Sequence, residues 1–212
     1  MAEYKKYKVG YIDESEDDVI LFQQQFSDYF DIEILPIDSS TTMEDVISWI
    51  YTTHLDIIVV DYRLKENLEI DFNGNEILET LNRQRLNFPM YMITAHEDEA
   101  ISESDESLDD LIFDKELVSN NLDIMVTRIE NKIKKYKFEL EQKEKRHREL
   151  SLKNELTIKE EEELLRLDYF LEETTSKLGV TPITLKDTKS LKKLCELIEK
   201  VDKIIEKLER NE

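Results

Sequence analysis

Five polar side chains in this 212-residue sequence have types suited to chemistry, and each stands at the end of an apolar run. Asp61 closes the run Ile57-Ile58-Val59-Val60. Asp13 and Glu14 follow Tyr7–Ile12, Thr94 follows Met90–Ile93, and Lys115 follows Leu111–Phe113 with Asp114 between. A carboxylate can attack a phosphoryl group and become an acyl phosphate. Such a transfer gathers negative charge, which calls for a divalent cation with oxygen ligands. An ammonium supplies compact positive charge, and a hydroxyl supplies a hydrogen-bond donor. Asp61 by itself equally suits the start of a loop, a position Asp often takes. The set matters more than any member: ligands of open α/β sheets bind above the carboxyl ends of the strands.

The elements that must position these groups alternate. Four consecutive aliphatic residues without polar alternation, Ile57 to Val60, predict a central strand covered on both faces. Strands are also expected over Tyr7–Ile12, Ile32–Ile37, Met90–Ile93 and Leu111–Phe113. Between them lie helix patterns. Ser15 caps one with Glu16, Asp17 and Asp18 in its first turn and Val19, Leu21, Phe22 and Phe26 on its apolar side. A second spans Met43–Tyr51, with Val46, Ile47 and Ile50 inward. A third follows Gly74, with Ile77, Leu78 and Leu81. His96 to Asp110 is strongly acidic, with only Ala100, Ile101 and Leu108 as apolar anchors, so any helix there is weakly held. Five strands alternating with helices predict an α/β fold, a five-stranded parallel doubly wound sheet.

From about Asn120 the pattern becomes purely helical. Leu122, Val126, Ile129, Ile133, Tyr136, Leu140, Lys143, His147 and Leu150 recur at alternating spacings of four and three, a heptad seam with two polar members. Thr157 with Glu160 has the spacing of a capping box opening a further helix, with Leu164, Leu167, Leu171 and Leu178 as its seam and Gly179 as its stop. Pro182 falls in a loop before a last helix, about Asp187 to Leu208. The expected organisation is therefore an α/β domain over 1–118 and an all-α hairpin or coiled-coil region over 119–212.

Charge divides the chain at the same place. Residues 1–118 hold 29 acidic against 8 basic side chains, and the remainder holds 21 of each, so the whole net charge of −21 lies in the first part. Neither part has the basic excess that binding a phosphate backbone requires, which argues against direct DNA binding. No apolar run approaches bilayer-spanning length, and none near the N-terminus suits a signal peptide. The single cysteine, Cys195, cannot form an intrachain disulfide and fits a reducing cytoplasm. His147, on the long helix, has the setting of a phosphotransfer histidine but is better read as a polar seam member. No His and Cys residues have zinc-ligand spacing.

In their order and spacing, five short stretches resemble the receiver domain of two-component response regulators. They are Tyr-Ile-Asp-Glu ending at Glu14, Ile-Val-Val-Asp-Tyr-Arg-Leu ending at Leu64, Asn-Gly-Asn-Glu-Ile-Leu ending at Leu78, Pro-Met-Tyr-Met-Ile-Thr-Ala ending at Ala95, and Phe-Asp-Lys ending at Lys115. The resemblance covers just over half the chain. It implies that Asp61 accepts a phosphoryl group from a sensor histidine kinase. It also implies Mg²⁺ held by Asp13, Glu14, Asp61 and the backbone carbonyl of Arg63, with Lys115 and Thr94 contacting the phosphoryl oxygens. Three positions depart from the family pattern: Glu14 replaces a usual Asp, Glu116 replaces the proline after Lys115, and Ile112 replaces a usual aromatic. Residues 119–212 would then carry the output, through a downstream protein partner or self-association. The alternative is a phosphate sink or assembly scaffold without phosphorylation-dependent output. Enzymatic activity beyond self-phosphorylation and slow dephosphorylation finds no support in the sequence.

Overall fold

The structure is a computed structural model, and it describes residues 6–66, 68–85 and 87–175, together with Leu197, Lys200 and Val201. Apart from those last three residues, the expected helix over Asp187–Leu208, with Cys195, and the stop at Gly179 lie outside the described residues. Two compact units divide the chain, residues 1–136 and 137–212.

The first unit is built on five strands: β1 (Lys8–Ile12), β2 (Asp31–Ile34), β3 (Ile57–Val60), β4 (Met90–Thr94) and β5 (Ile112–Asp114). All neighbouring pairs are parallel, in the order β2-β1-β3-β4-β5. The predicted sheet is thus present. The second strand stops at Ile34 rather than Ile37, because Pro36 has no N–H with which to extend the ladder.

Helices α1 (Glu16–Phe26), α2 (Met43–Thr52), α3 (Gly74–Gln84), α4 (Glu97–Glu103), α5 (Lys115–Asn120) and α6 (Leu122–Leu152) follow in chain order, with a 3-10 helix at Glu106–Leu111. Local chemistry starts them. The Ser15 hydroxyl accepts the Asp18 N–H, Thr42 and Asp45 form a reciprocal capping box, and the Glu76 carboxylate accepts the Asn73 N–H at 2.7 Å.

Period-two alternation sorts the strand side chains into two cores. Ile12, Ile58, Val60, Met90 and Met92 pack with α2 and α3 through Val46, Ile50, Ile77, Leu78 and Leu81. Val9, Tyr11, Ile57, Val59, Tyr91 and Ile93 pack on the other face with Phe22 and Phe26 of α1. Met125, Val126, Ile129 and Ile133 of α6 join that second core. The seam that begins at Leu122 therefore starts as a sheet-covering surface, and the first unit reaches Tyr136 instead of ending at residue 118. Leu21, expected inward, is exposed, because α1 meets the sheet through Phe22 and Phe26 alone of its fully buried residues. In the acidic segment Ala100 and Leu108 are buried, whereas Ile101 is exposed.

In the second unit the end of α6 and α7 (Ile158–Thr175) form a helical hairpin. Arg146 grips the Glu163 carboxylate with two N–H donors at 2.8 Å, and His147 faces Asp168 at 3.4 Å. The Lys143 ammonium lies 3.3 Å above the Phe170 ring. The two polar seam members thus have polar or aromatic partners, and Leu150 and Leu164 are buried. Thr157 and Glu160 form the anticipated capping box. Among the described residues no helix is long and apolar enough to cross a membrane.

Candidate functional site

The carboxyl ends of β1, β3, β4 and β5 form one edge of the sheet, and the chemistry-bearing side chains stand along it. Between β1 and β3 the connections run to opposite sides, since β2 lies beyond β1 and β4 beyond β3. That is the switch point at which such sheets open a crevice. Register places Ile12 beside Val60, so Asp13 and Asp61 leave adjacent strands one residue later. The Asp61 N–H donates to the carbonyl of Ile12 at 2.8 Å, which ties the two strand ends together.

Asp13 and Asp61 are both buried, 5% and 4% exposed. Two ionised carboxylates in that setting need compensation. Lys115 supplies it: its Nζ lies 2.9 Å from Asp13 Oδ2 and 2.9 Å from Asp61 Oδ1. Burial pulls the Lys115 ammonium down, but Asp61 and Asp13 outweigh it and hold its pKa above the ordinary lysine value. Burial pushes the Asp61 carboxyl up, Lys115 opposes the shift, and the charge of Asp13 adds to it. Remaining valences are satisfied locally. Asp61 Oδ2 accepts the Arg63 N–H at 2.6 Å, and Asp13 Oδ1 accepts the Ser15 N–H at 2.9 Å.

Glu14 is half-buried beside this pair. Burial, together with the charges of Asp13 and Asp61, raises its pKa to about 7. Thr94 is fully buried at the tip of β4, directly opposite Asp114 on β5, and its hydroxyl accepts the His96 N–H at 3.2 Å. Arg63 turns its guanidinium away from the crevice, towards Glu66 and Glu99. Glu116 follows Lys115 in α5, which Asp114 caps by accepting the Leu117 N–H at 2.8 Å.

Of the residues singled out in the sequence, Asp13, Asp61 and Lys115 are in direct contact, Glu14 borders them, and Thr94 occupies the next strand end. Two partners had not been assigned to the site. Asp18 meets Lys115 Nζ at 2.8 Å, although in the sequence it reads only as a first-turn acid of a helix. Tyr11 donates its hydroxyl to Asp13 Oδ2 at 2.5 Å, although in the sequence it reads only as a strand residue. Its separation of two from Asp13 puts both on one side of an extended chain, which is the signal that would have found it. Among the described residues no three His, Cys, Asp or Glu side chains are grouped closely enough to form a ready-made metal cage. The acids are turned onto Lys115 instead.

No protein-family model and no curated protein matches the chain. Solved structures do. The signal receiver domain of an HD domain-containing protein from Pseudomonas fluorescens Pf-5 aligns with a TM-score of 0.50 and 11% identity, covering 65% of this chain and 96% of that one. A structure described as adenylate cyclase from Rhodopirellula baltica aligns with a TM-score of 0.50 and 13% identity, again covering 65% of this chain and 96% of that one. At such identities the likeness speaks for architecture. Together with the strand order and the doubly covered sheet, it shows that the chain carries the response-regulator receiver fold, followed by a helical extension.

Proposed function

We propose that this protein is a response regulator that accepts a phosphoryl group on Asp61 from a histidine kinase. One observation carries the proposal: a buried aspartate at a strand tip shares a single ammonium, at 2.9 Å on each side, with a second buried aspartate on the neighbouring strand. That arrangement keeps a nucleophile ionised in an apolar surrounding and leaves a cation ready for the charge that the transfer brings in.

In this reading an Asp61 carboxylate oxygen attacks phosphorus, and the bond from phosphorus to the donor imidazole nitrogen breaks. The bonding pair stays on that nitrogen, which takes up a proton, and Asp61 becomes an acyl phosphate. Lys115 moves its hydrogen bond onto a phosphoryl oxygen, and the Thr94 hydroxyl donates to another after release from the His96 N–H. The residues fit Mg²⁺: Asp13, Glu14, Asp61 and the carbonyl of Arg63 are hard oxygen donors, and with Asp18 four carboxylates stand around one ammonium. When bound, the ion would screen the phosphoryl oxygens from the carboxylates.

Output then belongs to the helical region, through a protein partner or self-association. The test is incubation with Mg²⁺ and acetyl phosphate, read by intact mass. One added phosphoryl group that disappears in Asp61→Asn is the expected result. No added group, or one that survives Asp61→Asn, would sink the assignment. Light scattering before and after phosphorylation then separates a switch, whose assembly state changes, from a phosphate sink, whose state does not.

A further inference from the structure

Tyr11 brings a buried hydroxyl to the acid pocket, and packing alone does not require it. Its ring is 1% exposed and lies parallel to Phe22, with centroids 3.9 Å apart and planes within 1°. Phe22 in turn stacks on Phe26 at 4.4 Å. An apolar side chain on β1 would fill the same space against α1. The phenol instead ends on Asp13 Oδ2, at 2.5 Å. That oxygen also accepts from Lys115 at 2.9 Å, while Oδ1 is held by the Ser15 N–H at 2.9 Å. The Asp13 carboxylate is therefore fixed from three directions. Of the three donors, the tyrosine is held both by its strand and by its ring stack.

We propose that Tyr11 is a positioning residue: its hydroxyl sets the orientation of the Asp13 carboxylate for sharing a divalent cation with Glu14 and Asp61. The inference rests on the reading of this pocket as a Mg²⁺-dependent phosphoacceptor site. Its physical basis is that partners hydrogen-bonded to a metal-binding carboxylate fix its rotation, and that losing one costs roughly ten- to a hundredfold in metal affinity.

The test uses the full chain and MgCl₂ alone, by isothermal titration calorimetry. Tyr11→Phe keeps the ring stack and removes only the hydroxyl. Its Mg²⁺ dissociation constant is expected to rise roughly tenfold or more. Uptake of phosphoryl from acetyl phosphate should need correspondingly more Mg²⁺ for half-saturation, while the rate at saturating Mg²⁺ stays near that of the unaltered protein. A Mg²⁺ affinity that is unchanged or tighter overturns the inference. Deleting a buried hydroxyl also lowers stability, so a second measurement uses the unaltered protein. The tyrosine Cζ resonance of Tyr11 in ¹³C NMR should shift on Mg²⁺ addition with the calorimetric dissociation constant; a resonance that does not move overturns the inference as well. Failure of the unaltered protein to bind Mg²⁺ removes both this role and the phosphoacceptor reading. Normal Mg²⁺ binding and phosphorylation in Tyr11→Phe removes this role alone.

Discussion

A β-carbon at Gly74 would stand 2.0 Å from the backbone oxygen of Asp61. The first residue of α3 thus rests directly on the strand end that carries the proposed nucleophile, and the Gly74 N–H donates to the Tyr62 carbonyl at 2.9 Å. Only a residue without a side chain permits that approach.

Gly74→Ala should therefore act on Asp61 without altering any group that does chemistry. The added methyl meets backbone, which yields less than the tip of a side chain. A loss of about 1–3 kcal/mol is expected from overpacking, measured by urea denaturation. Phosphoryl uptake should slow as well, because Asp61 must move. Unaltered stability together with unaltered uptake would show that α3 is not seated as described.

Tyr62 links the same strand end to α4. Its hydroxyl donates to Glu103 Oε2 at 2.5 Å, and the Asn75 amide donates to the Glu103 carbonyl at 3.2 Å. Arg63 pairs with Glu99 one turn earlier. Helix α4 has few apolar anchors, so these polar ties carry much of its attachment. Tyr62→Phe should cost roughly 1–2 kcal/mol. Amide exchange over Glu97–Glu103 should accelerate more than exchange in β1. Equal acceleration in both would mean that the tie is global and does not specifically hold α4.

Lys132 gives a stability effect of definite sign. Burial lowers its pKa to about 8, with Asp110 opposing the shift, and its ammonium lies 4.4 Å above the Tyr91 ring. Below pH 8 the folded and unfolded chains both carry the charge, and the folded state bears the full desolvation cost. From pH 8 to the unfolded value of 10.5 the unfolded chain holds the extra proton, so stability rises with pH. Lys132→Met should be more stable than the unaltered protein at pH 7, by about 1–3 kcal/mol, with the gap closing towards pH 10.5. Urea midpoints at the two pH values decide it.

The cap of α7 responds with the same sign but in the acid range. Lys153 and the Thr157 donors hold the Glu160 carboxyl down at about 2. Its contribution is whole above the unfolded value of 4.5 and is lost as pH falls from there towards 2. Helix content of the second unit, read by amide exchange over Ile158–Glu162, should fall across that window in the unaltered chain. In Glu160→Gln it should change little.

How much of this was legible in the sequence varies with the range of the interaction. The buried run Ile57–Val60 announced itself, as did the acids and the lysine at strand ends, because strand period and strand termination are local properties. The capping pairs Thr42–Asp45 and Thr157–Glu160 span three residues and are equally local. The division of α6 was hidden: spacings of three and four read alike whether a helix covers a sheet, as Val126 and Ile129 do, or faces another helix, as Leu150 does. Leu21 and Phe22 are neighbours of similar apolarity, and only the sheet's position decides which one turns inward. The ion pair of Asp18 with Lys115 joins residues 97 apart in sequence, and no local rule predicts it.

The strand order also governs how the chain is made. β1 lies inside the sheet, with β2 on one side and β3 on the other, so it cannot complete its hydrogen bonding until residue 60 has emerged. Until then the backbone groups along one edge of β1 stand unpaired, beside Val9, Tyr11 and Ile12, which are all buried in the finished protein. Parallel pairing across intervening helices is non-local, and such topologies fold slowly relative to helical bundles. The α6–α7 hairpin, made of contacts between neighbouring segments, belongs to the fast class. Refolding of the full chain should accordingly resolve into two kinetic phases, with helical signal leading and burial of the Tyr11 ring trailing.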